Sequence, residues 1–241
     1  MSVRSQLWRA VVVGASFLRS RLDRRRGYKV VWNRLSRTEA LAKQHVLGSE
    51  KEEDVLATAI DTRCVLQKTV GLLPEDNVLE IGCGIGRVGQ EVAPLCKFWV
   101  GCDVARNMLR LAQKRLAPFA NVGLIEIAGY DLAAFADNFF EVVYCTVVFM
   151  HLEEWDRYSY VLDAYRILRP GGRIYIDNFS LCSDAGWATF EKHRKIPPGE
   201  RYCATSRSST PQELQTYLAR AGFRDISTWE DGTWIRCWAV K

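Results

Sequence analysis

Val78-Leu79-Glu80-Ile81-Gly82-Cys83-Gly84-Ile85-Gly86-Arg87 is the stretch whose reading decides the fold. An apolar run ends near an acid, and a glycine-rich turn then opens a helix. Glycines let a backbone approach a ligand closely and adopt conformations that side chains forbid. The helix start adds free N–H groups and partial positive charge. The dinucleotide fingerprint built on this device is G-x-G-x-x-G. Here the third glycine comes one residue early, at Gly86, and Arg87 takes the fingerprint's last place. Glu80 beside the turn would repel a pyrophosphate and suits a cationic group instead.

Outward from this stretch, short apolar runs alternate with helical patterns. Strands are predicted at 77–81, 98–102, 122–127, 141–145 and 173–177, the last announced by Pro170-Gly171-Gly172. Helices are predicted at 88–93, 105–116 and 158–168. Glu153, Glu154 and Asp156 form a polar turn suited to a helix N-terminus. Thr210-Pro211-Gln212-Glu213 reads as a capping box with proline at the first helical position. After Gly222, two strand-like stretches joined through Asp231-Gly232 read as a hairpin. The expected fold is α/β, a doubly wound Rossmann-like sheet, mostly parallel with one antiparallel strand from the C-terminal hairpin.

Charge divides the chain. Residues 1–34 carry nine Lys/Arg against one acid, Asp23, a net +8 in a chain of net +5, so the rest stands at −3. The expected organisation is a basic arm over 1–38 and a single domain over 39–241, with a lid-like insertion at 178–209. A basic arm on an acidic body argues against nucleic acid as a partner. Trp8, Val11, Val12, Ala15, Leu18 and Leu22 share one face of a helix in the arm, with Arg9 and Arg24 opposite. That pattern suits the surface of an anionic membrane. No apolar run approaches the roughly 18–20 residues that span a bilayer. The eight cysteines form no C-x-x-C pair. They read as reduced core residues of a cytoplasmic protein, peripheral on a membrane if the arm docks there. No metal site is expected, because His45, His151 and His193 lie far from any cysteine cluster. The oligomeric state is left open.

Asp103 ends the second strand about 20 residues past the glycine turn, where an acid can accept both ribose hydroxyls of an adenosine. With Glu80, Gly82, Gly84 and Gly86 it makes the chain resemble the class I S-adenosylmethionine-dependent methyltransferases. Gly129-Tyr130-Asp131-Leu132, the run 135–141, Val148-Phe149-Met150-His151-Leu152 and the run 166–172 match that family in order and spacing. The resemblance implies S-adenosylmethionine as cofactor and S-adenosylhomocysteine as product. It implies a cofactor site made of Glu80, Gly82, Cys83, Gly84, Gly86, Asp103, Val104, Met108, Tyr130, Asp131 and Leu132. Asp131 and the backbone of Tyr130 and Leu132 are expected to hold the adenine, and Met108 to pack on its ring. Arg37 and Arg63 are candidates for the carboxylate of the cofactor.

Methyl transfer needs positioning above all, and a base only when the acceptor atom carries a proton. His151, just past the fourth strand, and Asp177, which ends the fifth with Asn178, are the catalytic candidates. Lys192, Arg194, Lys195 and Arg201 on the insertion are candidates for an anionic acceptor. The expected acceptor is a small molecule or a glycan- or lipid-linked intermediate. A protein or peptide acceptor, and an inactive cofactor-binding module, are the alternatives.

Overall fold

The computed structural model describes residues 26–241. The apolar face expected at Trp8 to Leu22 lies outside the described residues. Seven strands form one sheet in the order β3-β2-β1-β4-β5-β7-β6. They are β1 (Asn77–Ile81), β2 (Phe98–Asp103), β3 (Val122–Glu126), β4 (Phe140–Cys145), β5 (Leu168–Phe179), β6 (Arg224–Glu230) and β7 (Trp234–Val240). The first five are parallel, and β7 runs antiparallel to both of its neighbours, as the hairpin required. The chain steps from β1 to β2 and β3 on one side, then returns to place β4 on the other. That reversal opens a crevice beyond the C-terminal ends of β1 and β4.

Strand side chains alternate between the two faces. Leu79, Ile81, Val143, Cys145, Ile174 and Ile176 face a layer that holds Tyr160, Val161 and Ala164 of α6 (Glu154–Ile167) with Leu214 and Leu218 of α8 (Pro211–Ala221). Val78, Trp99, Val142, Tyr144 and Tyr175 face the opposite layer. That layer draws Leu66 from α3 (Glu52–Thr69), Val88 and Val92 from α4 (Arg87–Val92), and Ala112 from α5 (Arg106–Arg115). All of these core residues are essentially sealed from water.

Three local features differ from the sequence reading. Pro170-Gly171-Gly172 is not a free turn before β5. It lies inside the strand as an irregularity, where the register with β4 jumps from Leu168 to Arg173. Helix α6 begins at Glu154, four residues before the predicted 158, and takes in Glu154 and Asp156 as the acidic first turn that the sequence offered. Thr210 caps α8 through its hydroxyl, which accepts from Glu213 N at 3.3 Å. The other half of the expected box is absent, because the Glu213 carboxylate instead takes Arg157 Nη1 at 2.8 Å.

The basic segment does not end as a separate arm. Residues 26–35 form helix α1 (Arg26–Leu35), followed by α2 (Glu39–Leu47), and both lie against the body. Asn107 Nδ2 donates to Asn33 O at 2.8 Å, and the Tyr28 hydroxyl donates to Asp156 at 3.3 Å. Within the insertion, α7 (Asp184–Arg194) is capped by Ser183, whose hydroxyl accepts from Gly186 N at 3.1 Å.

Candidate functional site

The glycine turn takes the form its residues demand. Gly82 (φ 71°) and Gly84 (φ 51°) both lie in left-handed backbone. A Cβ on Gly82 would sit 2.3 Å from Val148 Cγ2, so only glycine lets this loop pass beneath the loop after β4. The turn is locked to β2. Gly82 N and Cys83 N donate to Cys102 O at 2.8 and 2.9 Å, and Gly84 N donates to Asp103 Oδ2 at 2.9 Å. Asp103 Oδ1 accepts from Ala105 N at 2.8 Å. The Asp103 carboxylate is thus aimed by backbone from both sides. Burial raises its pKa to about 6 despite those donors.

Above the turn lies a cleft of about 860 Å³, counting its mouth. Glu80, Gly82, Cys83, Gly84, Asp103, Val104 and Met108, all offered by the resemblance for a cofactor, line it. Gly86 instead caps α4 and packs against Ala112, behind the wall. Glu80 is buried and accepts from the Tyr144 hydroxyl at 2.7 Å, while Tyr144 accepts from Trp99 Nε1 at 2.9 Å. Desolvation lifts the Glu80 pKa to about 8, and Arg87 pulls against that rise.

Tyr130, Asp131 and Leu132 are not brought to the cleft. Ile127 and Gly129 form that wall. Leu132 is sealed in the core with its N–H on Asp163 Oδ2 at 2.7 Å. Asp131 closes a local turn by accepting from Ala133 N at 3.2 Å. Arg63 faces Glu91 at 3.7 Å and Arg37 is exposed, and neither lines the cleft. The cation that does line it is Arg87, 6% exposed, with Nη1 on Thr62 Oγ1 at 3.3 Å. Its place at the end of the glycine stretch was the signal that sequence reasoning passed over. Tyr28 and Trp32 of α1 and His45 and Val46 of α2 complete the wall.

A second cavity, about 1510 Å³ with its mouth, adjoins the first. The two share His45, Val46, Arg87, Val147 and His151. His151 stands edge-on to Trp32, ring centroids 4.8 Å apart. Its Nδ1 is buried with no hydrogen-bond partner, while the Cys203 backbone engages the ring. The tautomer this implies is Nε2–H, with Nδ1 a bare acceptor. Burial lowers the pKa of His151 to about 4, so the ring is neutral at pH 7. Asp177 lines the second cavity and holds Val147 in its strained φ of 60°, accepting from Val147 N at 2.7 Å. Tyr175 donates to Asp177 at 3.2 Å, and burial raises the Asp177 pKa to about 6. Asn178 turns away into the core, where its Nδ2 donates to Ser209 Oγ at 2.7 Å.

The four basic candidates of the insertion separate. Lys192 lines the second cavity, beside His193. Arg194 pairs with Glu191 at 2.8 Å, Arg201 donates to the carbonyls of Ile196 and Arg194, and Lys195 is exposed away from the cavity. Among the described residues no cluster could hold a metal ion.

The donor set fits S-adenosylmethionine. Buried carboxylates at Glu80 and Asp103 suit a cationic ligand with a ribose, and Val104, Met108 and Ile127 give an apolar wall for a flat base. The methyltransferase domain family matches residues 79–176. The chain is 26% identical to phosphoethanolamine N-methyltransferase 1 of Arabidopsis thaliana over 173 residues, 69% of this chain and 32% of that protein. It is 30% identical to a demethylmenaquinone methyltransferase of Corynebacterium urealyticum over 168 residues, 68% of this chain and 66% of that one. The chain spans only 25% to 32% of the length of the plant phosphoethanolamine enzymes it matches. It shares the fold of the magnesium protoporphyrin IX methyltransferase of Synechocystis, solved with S-adenosylhomocysteine bound. The TM-score is 0.59 at 18% identity, covering 77% of this chain and 83% of that one.

Proposed function

The chain belongs to the class I S-adenosylmethionine-dependent methyltransferase family, and from that premise we propose that it methylates a small molecule held in the second cavity. The cofactor, when bound, supplies a methyl group activated by a sulfonium. Asp103 accepts the ribose hydroxyls. Glu80 balances the cationic amino-acid end, and Arg87 takes its carboxylate, the part the sequence offered to Arg37 or Arg63. Tyr28, Trp32 and Val46 close over the cleft and exclude water.

The observation that carries the reading is the seam between the two cavities. His151 is shared by both and carries a buried acceptor nitrogen without a donor. Such a group is costly to leave unpaired, so acceptor binding would favour a turn of the ring that brings Nδ1 to the cavity and to an N–H or O–H of the acceptor. With a pKa near 4 the neutral ring orients the acceptor through that hydrogen bond, and takes the proton only as the acceptor atom turns acidic during transfer. Asp177 acts one step away, as the residue that positions Val147 at the seam.

The relatives act, by their names, on phosphoethanolamine and demethylmenaquinone, both small molecules. A small-molecule acceptor for this chain is supported by that company and by the second cavity beside the cleft. Lys192 is the insertion residue placed to meet an anionic group on it. The test is incubation with methyl-labelled S-adenosylmethionine and an extract split into small-molecule and protein fractions. Label is expected in the small molecules, with turnover lowered about 100-fold in His151→Asn and cofactor affinity lowered far less than turnover. Label in the protein fraction would instead identify a protein methyltransferase. Cofactor binding with no labelled product in either fraction would leave a non-catalytic module.

A further inference from the structure

Helix α7 has two faces with different work to do. Thr189 and His193 turn inward and line the second cavity, and Gly186 is buried at the helix start. A Cβ on Gly186 would fall 1.6 Å from Ser180 O, so this end is clamped to the sheet. The opposite face is open. Trp187 and Phe190 stack there, ring centroids 5.2 Å apart, at 52% and 38% exposure, and Tyr202 follows at 44%. Of the five large aromatic residues exposed among the described residues, this one segment holds three.

Charge selects the partner for that face. From Glu191 to Arg201 the chain carries Lys192, Arg194, Lys195 and Arg201 against Glu191 and Glu200, a net +2 on a body that is net acidic beyond residue 34. Arg194, Lys195 and Arg201 are exposed beside the aromatic pair. On a domain that is net acidic beyond residue 34, such a basic tip is a place where an anionic surface is attracted. Indole and phenyl rings flanked by basic side chains are the groups that settle at a lipid headgroup boundary. No helix among the described residues is long and apolar enough to cross a membrane, so this contact lies on the surface.

We propose that the outer face of α7, with Trp187 and Phe190 at its centre and Arg194, Lys195 and Arg201 at its edge, docks on an anionic phospholipid bilayer. The same helix roofs the second cavity through Thr189 and His193, so docking sets that cavity one helix away from the lipid surface. That the cavity receives the methyl acceptor rests on the function proposed above; the docking itself does not.

The experiment is co-sedimentation of the full chain with phosphatidylcholine vesicles, with and without phosphatidylglycerol, at low and high salt. Binding is expected only with phosphatidylglycerol. Trp187→Ser/Phe190→Ser should weaken it about tenfold through lost apolar burial. Arg194→Gln/Lys195→Gln should weaken it at low salt and converge with the parent at high salt. S-adenosylhomocysteine affinity, measured in parallel, should be unchanged in both variants. The proposal is overturned if the parent chain binds neither vesicle, or if both variants bind as the parent does. It is equally overturned if the parent self-associates through Trp187 and Phe190 in sedimentation velocity, since the face then belongs to a second copy. Loss of cofactor binding in the parent would count against the methyltransferase reading and leave the docking result standing.

Discussion

At the scale of single residues the site turns on two buried carboxylates, Asp103 and Glu80. In the proposed binding mode Asp103→Ala removes two charge-assisted hydrogen bonds to the ribose, each worth roughly 1.5–3 kcal/mol, so cofactor affinity should fall at least about tenfold by calorimetry. The raised pKa values also fix a pH dependence. A cationic cofactor binds the ionised acids, so binding releases protons and affinity rises with pH until the free-protein pKa is passed. With Asp103 near 6 and Glu80 near 8, affinity should climb steadily from pH 5.5 to 7, where the cofactor's own amino group is still mostly charged. Glu80→Gln should flatten the upper part of that climb, and an unchanged profile in that variant would remove Glu80 from the linkage. The glycine turn and Asp103 were legible because their roles are local: a strand end, a tight turn, a fixed spacing. Tyr130, Asp131 and Leu132 were misplaced because nothing local says which groups of a loop turn inward. Asp163, 31 residues on, captures the Leu132 N–H.

At the scale of elements the largest departure is α1. Charge composition read residues 1–38 as an arm, yet Tyr28 and Trp32 wall the cofactor cleft from a helix more than 40 residues before the glycine turn. Local pattern carries no trace of that docking, because it depends on a groove built by β1, β4 and the loop after β4. Trp32→Ala should weaken cofactor binding about tenfold through lost burial and opened water access. A variant with parent affinity would make α1 a bystander. The strand and helix order, by contrast, was readable from periodicity, and the errors fell at element ends. There partners distant in sequence decide, as where Arg157 draws Glu213 out of its capping box. Arg157 is buried and ties α6 to Phe149 O, Ser209 Oγ and Glu213 at 2.8 Å each. Arg157→Met leaves Glu213 without its ion partner and should cost about 3 kcal/mol or more in denaturant unfolding.

At the scale of the whole molecule two cavities adjoin on a switched sheet, and the proposed function gives one to the methyl donor and the other to the acceptor. Burying acids without their cationic ligand weakens the free protein. Glu80, raised from 4.5 to about 8, favours folding while protonated, and that stability is lost as pH rises through 8. Asp103 and Asp177 act alike near 6, while His151, lowered to about 4, acts in the opposite direction below 6.5. Between pH 6.5 and 8 Glu80 therefore dominates, and the cofactor-free melting temperature should fall by about 2 °C or more. The most direct measurement of the central claim is titration calorimetry of the full chain with S-adenosylmethionine, beside folded Asp103→Ala. The account predicts one equivalent bound by the parent chain and an affinity at least about tenfold lower in the variant. It is contradicted if the folded parent binds no S-adenosylmethionine, or if Asp103→Ala binds it as tightly as the parent does.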